Sequence, residues 1–498
     1  MNTTKTTQTA NRQLKAEGLA DISVGQRPTY AAVNEIKAES LAYHHGTGHS
    51  FMRKAFGLCA LLGLASGVAV AEPSVKLTRN TFEITEGVTD AVLAKIKEDI
   101  GKVNKAELGF ELKKIKTADL EKICAAYPGT GSLAITDSKE VDSLAPVAGL
   151  KDLRSIKTSG IKASDLTPLA GLTGLTRLDV GGDEFAPDLK WMSGLTKLTY
   201  LAVRSGKKLT SFEGLPALPA LTSATLSGAE PADLTPIVTS LPNLKSLSLT
   251  GCFIKDLTPL TGLAKLDDLS LYGVTVKDFT PLAKCPKLRK LTYYATKDAD
   301  YATLGTLTQV EELQGGLTKL ADISWVEKLP NLKQLLLFSE SVKDYSPLAK
   351  TKIEHLTIWD MKVPLDLTSL SGAKTLTYLK LWGFDKGVSA FEALGALTNL
   401  KELVIEGVNR KEGNVDMAFL KTLASLEQLN LRECKAVNFD AVADCAKLVS
   451  VDVYKSTDIT SLAPLKKLPA LKAVTVKKGT FPDEELSGFG TGVKVNQW

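Results

Sequence analysis

Phe338, Trp359 and Trp382 recur at nearly one spacing, in the segments QLLLFSE, IEHLTIWD and YLKLWGF. In each, apolar residues alternate, so that leucine and isoleucine face one way and the aromatic ring the other. Large rings turned away from a core can do one kind of chemistry, the noncovalent capture of another molecule by burial and stacking. Residues able to do acid–base or covalent work are sparse. Of four histidines, His44, His45 and His49 lie within the first fifty residues, leaving His355 alone in the remainder. One histidine builds no histidine-based metal cluster, and no GxSxG, P-loop or dinucleotide fingerprint is present. Acidic residues are numerous, but their spacing follows a repeat, as solvated positions do. The sequence therefore points to a non-enzymatic protein with neither metal nor cofactor.

The elements that must carry these rings are repeated units. Leu172, Leu175, Leu178 and Val180 form L-x-x-L-x-x-L-x-V, and the pattern returns at Leu195/Leu198/Leu201/Val203 and Leu263/Leu266/Leu269/Leu271. It recurs at Leu329/Leu332/Leu335/Leu337, Leu397/Leu400/Leu403/Ile405 and Leu468/Leu471/Val474/Val476. Fifteen steps separate Tyr127 from Leu468, a mean of about 22.7 residues. Between the runs stand DLTPL at 165–169 and 256–260, DFTPL at 278–282, DYSPL at 344–348 and SLAPL at 461–465. Thr or Ser before Pro suits an N-cap followed by the first position of a short helical turn, where a missing N–H costs nothing. Each unit is then a short strand and a tight helical or 3₁₀ return. Alone it cannot bury its leucines; stacked, the units share one core.

These runs resemble the leucine-rich repeat family, in the short-repeat class of bacterial internalin-like proteins. The resemblance covers roughly residues 127–480 and implies an α/β solenoid, a horseshoe of about 16 repeats of ~22–23 residues. Short parallel strands would line its concave side and helical or 3₁₀ turns its convex side. It also implies a protein or peptide as partner. The family keeps an Asn, Thr or Cys ladder just after the strand; here Cys252 and Cys434 fit, whereas Ala229, Val274, Met361, Phe384 and Val408 do not.

The ends read differently. Residues 52–71, MRKAFGLCALLGLASGVAVA, have a basic start at Arg53 and Lys54, an apolar stretch and a small-residue site at Ala69-Val70-Ala71. That is the pattern of a secretory signal peptide cleaved before Glu72, and it implies a periplasmic, extracellular or cell-surface protein. The apolar run is short for a membrane anchor. Residues 1–51, polar and without periodicity, are expected to be an over-extended N-terminus. Residues 1–71 carry seven basic and four acidic residues, so their removal takes the net charge from +5 to +2. With both signs interspersed, nothing in the charge suggests a nucleic-acid partner. Residues 72–127 read as a helical N-terminal cap, with Val92, Leu93, Ile96, Ile100 and Val103 on one face and Thr117 as a second N-cap. Residues 128–480 form the repeat domain and 481–498 a C-terminal cap. Cys124, Cys252, Cys285, Cys434 and Cys445 lack CxxC spacing and are expected to be buried free thiols.

If the seventh and ninth places of the unit point inward, the sixth, eighth and tenth face the concave surface. The tenth place reads Gly181, Arg204, Ser227, Thr250, Tyr272, Tyr294, Gly316, Phe338, Trp359, Trp382, Glu406, Arg432 and Tyr454. Five aromatics in six successive places stand out in a chain that is only 6% aromatic. The sixth place adds His355 and Tyr378, and the eighth adds Leu336 and Lys380. Gly315 and Gly316 interrupt the column, as glycines do at a bulge or a close approach. The candidate site is therefore Tyr272, Tyr294, Phe338, His355, Trp359, Tyr378, Lys380 and Trp382, rimmed by Arg177, Asp179, Arg204, Glu402, Glu406 and Arg432. Its expected ligand is a protein or peptide. The alternatives are a glycan stacked on Trp359 and Trp382 and bonded to Gln334, His355 and Lys380, or self-association. The rival to all three is a packing ladder, in which cross-strand aromatic pairs stabilise the sheet by ~0.2–1 kcal/mol each.

Overall fold

A computed structural model describes residues 74–498, apart from short stretches between repeats at 183–188, 205–208, 210, 229–232, 296–299, 317–319, 340, 360–362, 385–386 and 411–412. The signal-like segment, residues 1–51 and the ladder places Ala229 and Met361 lie outside the described residues. From Ser74 onward the chain builds one sheet of twenty strands. Among the described residues only the first pair of this sheet, Ser74–Thr78 with Thr81–Thr85, is antiparallel; each later strand of the sheet pairs in parallel with its neighbour, ending at Lys494–Gln497. The architecture is the leucine-rich repeat α/β solenoid.

Each strand is about five residues because the inward places are only two. Leu263, Leu266, Leu269 and Leu271 are fully buried, as are Leu329, Leu332 and Leu337, and they join one continuous core. Returns are 3₁₀ turns such as Thr258–Gly262 and Thr280–Lys284, with Pro inside the first turn. Their capping differs from the sequence expectation. The Thr or Ser is the first helical residue, and the capping acceptor is the aspartate two residues earlier. Asp256 Oδ1 accepts from Thr258 N at 2.8 Å, Asp278 from Thr280 at 2.8 Å and Asp344 from Ser346 at 2.8 Å. A carboxylate there meets both the free N–H and the positive end of the turn.

The N-terminal segment is more than a helical cap. Its helices, Asp90–Asp99 and Thr117–Ala126, lie where periodicity places them, with Val92, Ile96 and Val103 buried. Three strands accompany them, Ser74–Thr78, Thr81–Thr85 and Gly109–Lys113, and extend the sheet. Thr117 is not the cap: the N-cap is Lys116, whose N–H donates to Asp119 Oδ2 at 3.3 Å, while Asp119 Oδ1 also accepts from Val88 N at 3.0 Å.

Two devices replace the missing post-strand ladder. Apolar Val274, Phe384 and Val408 sit buried at that place. A glycine in the left-handed region, such as Gly383 at φ 69°, interrupts the alternation after the tenth place and sends the next side chain inward. Just before the strands, a second ladder ties repeat to repeat. Thr176, Thr199 and Thr222 hydroxyls each donate to the carbonyl one repeat earlier, and further along Arg289 makes two bonds to Asp267 and Lys333 pairs with Glu311.

Candidate functional site

The tenth-place column holds its register across the sheet. Thr250 is opposite Tyr272, Tyr272 opposite Tyr294, then Gly316, Phe338, Trp359, Trp382, Glu406 and Arg432 in turn. None of the five aromatics belongs to the core cluster, so each ring stands on the outer side of the strands. At ~4.8 Å per strand the row from Tyr272 to Trp382 runs about 24 Å.

The rings are half-buried because they cover one another. Tyr272 and Tyr294 stack with centroids 5.4 Å apart and planes 9° apart. Trp359 and Trp382 stack at 4.7 Å and 9°, and Phe338 meets Trp359 edge-on at 5.4 Å. The glycine gap is a seat. A Cβ on Gly316 would collide with Tyr294 Cδ1 and lie 2.9 Å from Cε1, so the Tyr294 ring leans over the residue that has none. Gln314 Nε2 donates to the Tyr294 hydroxyl at 2.8 Å and fixes that pose. Burial, reinforced by Tyr294, pushes the Tyr272 phenol up to about 12.

A second row runs alongside at the sixth place. His355 and Tyr378 stack at 5.6 Å and 27°, between Gln334 and Glu402 in register. Lys380 departs from its expected role as a free donor. It is 5% exposed, with Nζ 3.3 Å from Glu406 and 4.5 Å from the Trp382 ring centroid. At the N-terminal end of the face Arg204 pairs with Asp179, and the Arg177 guanidinium lies 3.6 Å from the Tyr200 ring centroid. Arg432 pairs with Asp452 at 2.5 Å. The rim is thus largely occupied by internal pairs.

Asp268 escaped the sequence reading, although its sixth place marks it as outward. Its Oδ1 is buried and accepts no hydrogen bond, and burial raises its carboxyl against the opposing pull of Lys290. Glu402 behaves alike, raised by burial against Lys380. Away from the strip, on the turn side, Tyr301, Leu320, Asp322, Trp325 and Lys328 line a cleft of about 340 Å³. Among the described residues no group of three or more His, Cys, Asp or Glu could hold a metal ion, and no helix is long and apolar enough to cross a membrane.

No protein-family model matches the chain, and no curated protein matches it in sequence. Solved structures similar to it are leucine-rich repeat proteins. TLR13 in its complex with ssRNA13 is 19% identical over 74% of this chain, with a TM-score of 0.50; the match spans 56% of TLR13. An internalin (inlF) from Listeria monocytogenes is 22% identical over 72% of this chain and 88% of its own, with a TM-score of 0.36. A Leptospira interrogans leucine-rich repeat protein is 13% identical over 82% and 92%, with a TM-score of 0.42. At 19% identity the likeness to TLR13 shows the fold alone.

Proposed function

We propose that the chain is an exported, non-enzymatic leucine-rich repeat protein that holds a segment of another protein or a peptide along the aromatic strip. One observation carries this reading: five rings stand in register within six adjacent strands, on the outer side, where the core does not need them. A solenoid core is complete with its leucines, and aromatic side chains are enriched among binding hot spots. Export rests on residues 52–71, and N-terminal sequencing of the native protein tests it by finding Glu72 or an intact upstream segment.

The geometry weighs against the glycan alternative. A sugar ring needs an open indole face, but Trp359 is stacked by Trp382 and met by Phe338, while Lys380 lies over Trp382. What the strip offers is a ridge of ring edges, which suits side chains and backbone of an extended segment. The outward places of this stretch are also net acidic, which disfavours a phosphate backbone. A pull-down from native surroundings with the wild-type chain and the Trp359→Ala/Trp382→Ala variant tests the proposal. Capture of the same partner by both at equal yield overturns it, and sedimentation at two concentrations distinguishes self-association.

A further inference from the structure

Across the seven strands from Asp268–Val274 to Glu402–Val408, the outward places hold four acidic residues, Asp268, Glu312, Glu402 and Glu406, and two basic ones, Lys290 and Lys380. Four against two gives −2, in a chain whose sequence carries +5. Both bases are spoken for. Lys290 Nζ lies 3.3 Å from Glu312 and Lys380 Nζ 3.3 Å from Glu406. Among the described residues, Asp268 and Glu402 are the carboxylates of this stretch without an ion pair, and each is partly buried.

Their placement is regular. Asp268 and Glu402 occupy the same sixth-place row, six strand steps apart, roughly 29 Å at ~4.8 Å per step. Tyr378 stands in register beside Glu402, and Asp268 shares its strand with Tyr272, four residues on, whose phenol burial and the Asp268 charge both raise. A partly desolvated carboxylate beside an aromatic ring is the environment that favours an ammonium or guanidinium group. The ridge of Phe338, Trp359 and Trp382 runs parallel to that row, at the tenth place of the intervening strands, with the eighth place between the two rows.

We propose that the segment received by the strip is cationic and extended, with a Lys or Arg near each end of an apolar run, one over Asp268 and the other over Glu402. An extended chain rises ~3.3 Å per residue, so about nine residues span the pair. This rests on the strip being the binding surface and adds the chemistry of what it binds.

Three labelled decapeptides test it, sharing one apolar eight-residue core and ending at both termini in Lys, Ser or Glu. Each is titrated into the full chain and followed by fluorescence anisotropy at about 50 mM salt, where exposed charges still act over distance. The Lys-ended peptide binds about tenfold tighter than the Ser-ended one, and the Glu-ended peptide binds more weakly than both. Placing both lysines at one end loses most of the gain. In Asp268→Asn/Glu402→Gln the lysine preference disappears, so that the Lys-ended and Ser-ended peptides bind alike. Equal affinity for all three peptides, a lysine preference that survives in that variant, or binding of none overturns the cationic-segment inference. Loss of the native partner in Trp359→Ala/Trp382→Ala would still sustain the strip as the binding surface, so the two failures are separable.

Discussion

The ring of Tyr294 lies over Gly316 on the neighbouring strand, where any other residue would carry its Cβ. The arrangement is doubled. Tyr293 and Tyr294 are consecutive and stand opposite the consecutive Gly315 and Gly316, so large faces small on both sides of the sheet. On the core side Tyr293 is 1% exposed, donates its hydroxyl to the Val276 carbonyl at 3.0 Å and meets Phe279 edge-on. The glycine pair is thus the complement of the tyrosine pair, and it lets the aromatic row pass the strand Glu312–Gly316 without a side chain of its own.

Gly316→Ala should therefore destabilise the chain by about 1–3 kcal/mol, the usual range for forcing a methyl into filled space. In a Tyr294→Ala background the same change should stabilise, because alanine in a strand is favoured over glycine by roughly 0.5–1 kcal/mol once the ring is gone. Denaturant unfolding of the four proteins in the cycle checks the sign reversal. Additive effects would show that Tyr294 does not occupy the seat.

All five cysteines after residue 71 are buried free thiols. Burial pushes the Cys124 and Cys445 thiols up to about 12 and those of Cys285 and Cys434 up to about 11. The thiolate is the reactive form, so at pH 8 a thiol reagent should find almost none in the folded chain beginning at Glu72 and five after denaturation. Raising the pH toward 11 should accelerate the folded-state reaction only as the thiols begin to ionise or the chain opens. A native disulfide found by mass spectrometry would contradict this.

Leu269 is fully buried in a central repeat, in register between Leu247 and Leu291. Leu269→Ala should cost ~2–5 kcal/mol, the range for an interior leucine truncation. Each repeat packs mainly on its neighbours, so hydrogen exchange should quicken first in the flanking strands and fade toward the ends. Limited proteolysis that yields two or three stable compact fragments within 128–480 would argue against a single solenoid.

The register was legible in the sequence because one period governs everything: once the leucines are aligned, each outward place pairs with its counterpart one repeat on. Periodicity says which side a residue faces but not how its side chain tilts. Hence the mutual stacking of Trp359 and Trp382, which closes the faces a sugar would use, was not readable, nor was the burial of Lys380 between Trp382 and Glu406. Capping was misassigned because Thr-Pro is conspicuous, whereas the bond that closes each turn comes from the less conspicuous aspartate two residues before. The strands Ser74–Thr78 and Thr81–Thr85 were missed for another reason. SVKLT and TFEIT lie outside the leucine pattern, and their tight link uses Arg79 in the left-handed region, at φ 57°, where glycine would have advertised a turn.

The tryptophan pair carries the functional reading, and its stacking fixes what truncation should do. Trp359 and Trp382 gain from each other the ~0.5–1.5 kcal/mol typical of an aromatic pair, so removing both must lower stability somewhat. Because neither belongs to the core, the loss should stay well below that of Leu269→Ala, and the far-ultraviolet circular dichroism should not change. Partner binding by Trp359→Ala/Trp382→Ala should weaken by ~2–4 kcal/mol, as for aromatic hot spots. Ser227→Ala with Thr250→Ala, in the same column at its polar end, should leave binding untouched. Calorimetric melting and titration on the same preparations separate the two effects. A double tryptophan variant that melts lower yet binds its partner normally would make the row a packing ladder and remove the strip from the function of the protein.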